Sequence, residues 1–461
     1  MPSNSMALTP GLSSFLKSLK TNPIDTSIDN LISLLKRRQI RHSRSCAIAT
    51  AYLLLRVVSA FRTTEAAKLI ERVQNVGRRL VAAQPREMVV GNIVRRVLGL
   101  IRDEAEDERD AEFSLSSDAG TDSRPHTPPR GPSPSRLAPQ SHISSSLKPG
   151  DTDTKDQDTA SVLSERSSSR PPVNSFAPTP APISMFSLLS HPETESPQTG
   201  SPVPASPSGR VPGHGPSKDI RAEIIDGIGE IIDELGQVDD QIAGYALEHI
   251  HSNEIILTHT SSSTVQKFLL KAAAKRKFTV IHAESYPNNH EATHATVSGT
   301  AYSDEETMSF ESFQKPLIAL GITVILIPDS AVFALMSRVN KVILGTHSVL
   351  ANGGLVAAAG TRVIARAAKV HQTPVVVVSG VYKLSPVYPF DYEALIEYGD
   401  ASKVIGYEDG DLVDKIDVEN PLYDYVPAEL VDLYITNLGG HAPSYLYRIV
   451  SDHYRKEDIN F

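Results

Sequence analysis

The stretch IPDSAVFALMSRVNKVILGTHSVLANGG, residues 327–354, decides the fold. An apolar strand, Ile322 to Ile327, stops at Pro328. Asp329 and Ser330 then offer oxygens to the free N–H groups that open a helix. A second strand, Lys341 to Leu344, follows after a helix short enough to be a crossover. The order strand, helix, strand predicts a βαβ unit with Asp329, His347 and Asn352 at the carboxyl ends of strands. Ligands and chemistry gather there in open α/β sheets. ANGG at 351–354 supplies two glycines able to take positive φ, which predicts a tight turn open to close approach by a ligand or partner.

On either side of this stretch the same alternation continues. Short apolar runs at Glu254–Leu257, Phe278–Ile281, Pro374–Ser379 and Leu433–Thr436 are separated by helical segments. Those segments are Thr264–Lys277, a piece near His290, Thr361–Lys369 and Ser444–Tyr454. Strands alternating with helices imply a mostly parallel sheet covered on both faces. This α/β region spans 253–461, with a polar surface loop inserted near 298–311.

Upstream the period is helical. Leu69, Val73, Val76 and Leu80 mark one apolar face, and Ile93, Val97 and Leu100 repeat the spacing. Gln84-Pro85 breaks the pattern, and the charged string Asp103–Asp110 closes it. Ile220, Ile224, Ile228, Ile231 and Leu235 mark a long helix, and a second runs through Ile242, Ala246 and Ile250. Residues 9–110 and 218–252 are therefore expected to form one helical domain. Between them, 111–217 is Ser/Pro-rich, unable to bury enough apolar surface to offset its chain entropy, and is expected to be disordered. Its Thr-Pro and Ser-Pro pairs are ordinary for such a tract. Ile183–Leu189 is its one apolar island.

Composition narrows the classes further. The formal charge of −9 disfavours a general nucleic-acid binder. One cysteine, Cys46, excludes an internal disulfide framework and a cysteine-ligated zinc site. No apolar run approaches a membrane span, and MPSNSMALTP lacks a signal-peptide pattern. A soluble cytosolic protein is expected, with no cofactor, no metal, no nucleic acid and no membrane partner.

Several residues are candidates for a site. The first strand of the α/β region ends in THTSSST, 258–264. Thr260, Ser262 and Ser263 there suit either an anion at a helix N-terminus or plain capping. No Walker lysine follows. His347 in GTHS is a general base by position or a structural histidine. His290 and His294, with His282, Glu284 and Glu291, lack the HExxH arrangement of a metal site. KRRQIRHSR, 36–44, reads as a solvated helix face or a contact for an acidic partner. Tyr423, Tyr425, Tyr434, Tyr445 and Tyr447 suit an interface or a core.

DSAVFALMSRVNKVILGT (329–346), LANGG (350–354), YKLSPVYPFD (382–391), DYVPAELVDLYITNLGG (424–440) and APSYLYR (442–448) carry a resemblance. The chain resembles the regulatory alpha/beta/delta subunits of translation initiation factor 2B, on the beta branch, over 218–461 and more loosely over the first helical zone. The resemblance implies an N-terminal helical domain and a Rossmann-like sheet with helices on both faces. It implies a non-catalytic subunit of the guanine-nucleotide exchange factor for initiation factor 2. Its partners would be the delta, alpha, gamma and epsilon subunits and initiation factor 2, whose phosphorylated alpha subunit is sensed through the helical domains. Asn352, Gly353, Gly354, Asn437, Gly439, Gly440 and Tyr445 are the residues expected at the subunit interface.

The fold also resembles aldose–ketose isomerases of phosphorylated sugars, which use a cysteine and an aspartate. Their G-A-D reads Gly345-Thr346-His347 here, and their N-K-I-G-T reads Ala357-Ala358-Ala359-Gly360-Thr361. The aspartate and a lysine are thus lost, and the α/β region has no cysteine. Proton transfer needs such groups. Thr260, Ser262, Ser263, Asp329 and His347 are therefore expected to line a vestigial pocket. The alternatives are an isomerase-like enzyme with altered residues and a module that binds a phosphorylated metabolite.

Overall fold

The computed structural model describes residues 11–61, 65–118, 220–285, 310–388, 391–406 and 415–461. His290, Glu291, His294, Ile183–Leu189 and nearly all of the Ser/Pro-rich tract lie outside them.

The helical part contains α1 (Leu12–Thr21), α2 (Ile24–Lys36), α3 (Ser43–Ala60), α4 (Ala66–Ala83), α5 (Met88–Asp118), α6 (Ile220–Gly244) and α7 (Ala246–His249). The apolar stripes read from the sequence are the buried ones: Leu69, Val73, Val76 and Leu80 on α4, and Ile224, Ile228, Ile231 and Leu235 on α6. Gln84-Pro85 does separate α4 from α5. Three expectations need correction. The helix expected to close at Asp110 continues to Asp118. Ile242 belongs to α6, and Gly244 ends that helix, leaving a single turn for α7. The basic run 36–44 is mainly the connection between α2 and α3, not a solvated helix face. Within it, Arg38 pairs with Glu397, and Arg44 Nη1 lies 2.6 Å from Asp239 Oδ2.

The α/β part contains β1 (Ile255–His259), α8 (Ser263–Ala273), β2 (Thr279–Glu284), α9 (Phe310–Ala319), β3 (Thr323–Pro328), α10 (Val332–Met336), β4 (Lys341–Gly345), β5 (Ser348–Leu350) and β6 (Leu355–Ala358). It continues through α11 (Thr361–His371), β7 (Val375–Val378), β8 (Leu384–Ser385), β9 (Tyr423–Val426), β10 (Leu433–Thr436), β11 (Gly439–His441) and α12 (Leu446–His453). Among the described residues the large sheet has the order β11-β10-β7-β4-β1-β2-β3, parallel except for β11. A smaller sheet, β8-β5-β6-β9, grows from the GTHSVLANGG run.

The expected βαβ unit is present, but its strands are not neighbours. The crossover through α10 carries the chain past β2 and β1, and β4 pairs with β1. The strand order therefore reverses between β1 and β4, which makes their carboxyl ends the switch-point crevice.

The inner strands of the large sheet are covered on both faces because apolar residues dominate them, whereas much of the edge strand β3 is exposed. Ile256, Val280, Ile343, Val376 and Val378 share a core with the helical part and α8. Their neighbours Leu257, Ile281, Val342, Leu344, Val375 and Val377 point the other way, into a core with α10, α11 and α12. This period-two division is what a continuous apolar strand gives when buried on both sides.

Polar ties fix the helical part against the sheet. Asp239 on α6 is buried and accepts from Arg44 on α3 and, at 2.7 Å, from Thr264 Oγ1 on α8. Arg102 on α5 grips the fully buried Asp458 with two nitrogens. Removing the cationic member of either tie would leave a buried carboxylate uncompensated.

Candidate functional site

At the switch point the hydroxyl loop and the end of β4 meet directly. A Cβ built on Gly345 would lie 2.7 Å from Ser262 Oγ, so Ser262 occupies the space that the glycine leaves. Thr260 holds a positive φ of 57° and donates its backbone N–H to the Ala283 carbonyl. Ser262 and Ser263 begin α8, and neither Ser262 nor the residues before α10 make a side-chain cap bond. The capping role expected for Ser262 is thus not used. Asp329 stands elsewhere: its Oδ2 is 3.4 Å from where a Cβ on Gly360 would be.

Gly360 takes φ 98° and presses against His259 at the end of β1. His259 Nδ1 is 3.0 Å from Thr361 Oγ1, while its Nε2 is buried without a hydrogen-bond partner. Burial, with His282 nearby, lowers the His259 pKa to about 3.

His347 does not join this group. Its contacts run to the helical part: Nδ1 is 3.1 Å from Ser43 Oγ, and Nε2 is 3.5 Å from Glu87 Oε2. Ser43 Oγ also donates to the His347 carbonyl at 2.9 Å. The ring stacks on Tyr423 at 4.4 Å. Burial lowers the His347 pKa to about 3, helped by the positive charges of Lys383, His42 and Arg38. Burial likewise raises the Glu87 carboxyl to about 8, against the pull of Lys383 and Arg38. Lys383, from the KLSP string, is half-buried and donates to the Thr346 carbonyl at 2.7 Å.

Near neutrality His347 is thus a neutral ring clamped on both nitrogens. A group that exchanges protons with substrate needs a pKa near the working pH and a free face. His347 has neither, and it stands where the isomerase resemblance places an aspartate. Sequence reasoning missed Ser43, Glu87, His259 and Lys383. THTSSST places His259 at a strand end, Ser43 lies in the basic run and Lys383 in the KLSP string, but nothing local gives any of them, or Glu87, a role at the site.

The turn after β5 is built from the inside. Gly353 has φ 78° and is buried, and its carbonyl accepts from Tyr434 OH at 2.7 Å. Gly354 has no positive φ; its need is space, because a Cβ there would lie 2.7 Å from the Tyr425 ring. Asn352 is half-buried and donates to Tyr425 OH at 3.1 Å, with Tyr392 stacked 3.9 Å from Tyr425. The two glycines expected on an outer surface therefore sit inside the chain's own fold.

The other candidate interface residues lie at the β11 edge of the large sheet. Asn437 accepts from Val381 N–H at 2.9 Å. Gly439 is buried with φ 115°, whereas Gly440 and Tyr445 are exposed. Leu438 and Tyr447 beside them are 52% and 63% exposed, and His441 stacks on Tyr445. The five tyrosines therefore divide: Tyr434 is core, Tyr423 and Tyr425 line internal contacts, and Tyr445 and Tyr447 face outward.

Among the described residues no cluster of three or more metal-ligating side chains occurs, and no helix is long and apolar enough to cross a membrane.

Comparison with known proteins adds four likenesses. The Initiation factor 2 subunit family profile matches residues 39–308 and 309–443. The chain is 40% identical over 435 residues to Translation initiation factor eIF2B subunit beta of Schizosaccharomyces pombe, covering 94% of this chain and 96% of that protein. A chain of the crystal structure of the tetrameric eIF2B-beta2-delta2 complex from C. thermophilum is similar with a TM-score of 0.59. That likeness has 31% identity and covers 96% of this chain and 100% of the other. Ribose 1,5-bisphosphate isomerase of Archaeoglobus fulgidus is similar over a shorter span, 32% identical over 206 residues, or 44% of this chain and 59% of that enzyme.

Proposed function

Because this chain belongs to the Initiation factor 2 subunit family, we propose that it is a regulatory, non-catalytic subunit of the exchange factor that recharges initiation factor 2. The observation that carries the non-catalytic reading is His347. It replaces the aspartate of the isomerase pattern, and Ser43, Glu87 and Tyr423 hold it toward the helical part. Ser262 packed against Gly345 at the switch point supports the same reading, since it occupies the space that the glycine leaves there. Thr260, Ser263 and Asp329 are the remainder of that vestigial pocket.

In this reading the chain pairs with a delta-type subunit through its α/β part, as the named beta2-delta2 relative suggests. The pairing surface is the β11 edge: Asn437, Gly440 and Tyr445, with Leu438 and Tyr447 as apolar anchors. Gly439 shapes the hairpin that presents them. Asn352, Gly353 and Gly354 contribute from beneath by fixing Tyr425 and Tyr434. The helical part contacts the alpha subunit of initiation factor 2 and responds to its phosphorylation. The alpha, gamma and epsilon subunits complete the assembly.

Gly440→Arg tests the pairing surface. A Cβ at Gly440 meets only Leu433, at 3.7 Å, so the variant should fold with an unchanged melting temperature. Its co-purification with a delta-type subunit should fall by about tenfold or more, because a charge without a partner would be buried. Retention equal to wild type would remove the β11 edge from the interface.

A further inference from the structure

The outward face of α11 combines cations with exposed apolar side chains. Its exposed residues are Arg362, Val363, Arg366, Lys369 and Val370, three cations interleaved with two β-branched apolar side chains. Val363 and Val370 are 61% and 67% exposed, and Phe333 of α10, 56% exposed, extends the apolar strip by its edge contact with His371. The buried face of the same helix, Ile364, Ala365, Ala367 and Ala368, explains why α11 exists. It does not explain the Val-Phe strip on the opposite side, which water contact disfavours.

Among the described residues, no carboxylate lies within ion-pair distance of the Arg362, Arg366 or Lys369 side chains. Asp424, at the start of the helix, is committed to the backbone N–H groups of Gly360 and Arg362, at 2.7 and 3.1 Å. A basic face of this kind is conspicuous in a chain of net charge −9.

We propose that the α11 face, with Phe333, docks an acidic protein segment: one or two apolar anchors over Val363 and Val370, framed by carboxylates that reach Arg362, Arg366 and Lys369. Charge complementarity argues for the acidic partner, and the flanking apolar strip argues for a packed contact in place of diffuse attraction. A membrane fits less well. The negative chain as a whole is repelled by anionic lipid, and α11 is seated on the sheet through its buried face. α11 packs on the core across the large sheet from the helical part, and none of its exposed residues belongs to the proposed delta pairing surface, so the contact is proposed as one beyond that pairing.

The test uses the full chain assembled with its delta-type partner and the other subunits from its source cells. A photo-crosslinking benzoylphenylalanine at Val370 should form an adduct with another protein, on a segment where Asp and Glu outnumber Lys and Arg. R366E/K369E and, separately, V363D should weaken retention of that same protein about tenfold. The delta-type subunit should stay bound, because the pairing surface lies elsewhere. The proposal is overturned by an adduct confined to this chain, an adduct on a basic segment, or no protein adduct. It is equally overturned by unchanged retention in both variants, or by loss of the delta-type subunit in step with the crosslinked protein. R366E/K369E-sensitive binding to phosphatidylserine vesicles without a protein adduct would also replace it, with a lipid surface.

Discussion

Replacing Gly353 with Val should prevent the α/β part from folding stably, with a fall in stability of about 3 kcal/mol or more. Two independent effects add. Gly353 holds φ 78°, a region strongly disfavoured for a β-branched residue, at a cost of roughly 1–2 kcal/mol. A Cβ there would also lie 2.8 Å from the Pro443 carbonyl oxygen and 3.3 Å from Ala428 Cβ. The first of these is backbone, which cannot rotate away, so overpacking adds about 1–3 kcal/mol. Relief by movement would break the Tyr434 hydroxyl bond to the Gly353 carbonyl and disturb the hairpin of β5 and β6. Thermal melts of the purified variant check this. A melting temperature within a degree or two of wild type would show that the turn does not need its glycine.

Thermal stability should peak near pH 6.5 and decline toward pH 8, and Glu87→Gln should remove the decline. Glu87 has its pKa raised by burial to about 8, so the folded chain holds a proton there that the unfolded chain releases from about pH 4.5. Stability from this group is therefore lost as pH climbs to 8. His347 and His259, lowered by burial to about 3, and His282, lowered to about 4, act in the opposite sense. Unfolding lets them take protons below pH 6.5, so stability rises with pH up to that point and is level above it. Between pH 6.5 and 8 only the Glu87 slope remains among these four. One proton at about 1.4 kcal/mol per pH unit limits the loss to about 2 kcal/mol. Melts of wild type and Glu87→Gln across this range make the comparison. A flat wild-type profile, or a decline that survives in the variant, would show that Glu87 is already ionised in the fold.

The sheet is legible in the sequence because each inner strand carries a short, mostly apolar run. The segments around β1, β2, β3, β4, β7 and β10 and most of the long helices were readable from periodicity alone. The smaller sheet was not. Its strands β5, β6, β8 and β9 have two to four residues each, too few to show an alternation. The pairing of β4 with β1 was also hidden, because a crossover helix says that the next strand is parallel and not where it lies. The site divided in the same way. THTSSST and GTHS named the right strand ends, and the isomerase pattern identified His347 as the departure from it. What holds His347 was invisible, since Ser43 lies 304 residues away in the chain and only the fold brings the two together. The ANGG turn was legible as a turn, but whether its glycines faced a partner or the interior depended on Tyr425 and Tyr434, which arrive from distant strands.

The central claim is that this chain regulates nucleotide exchange without performing chemistry of its own. The most direct measurement is GDP release from initiation factor 2 by the catalytic subunits, with and without this chain and a delta-type partner, using unphosphorylated and phosphorylated alpha subunit. The account predicts that exchange is slowed by phosphorylated alpha subunit only when this chain is present in the assembly. Exchange that responds identically in its absence would contradict the account.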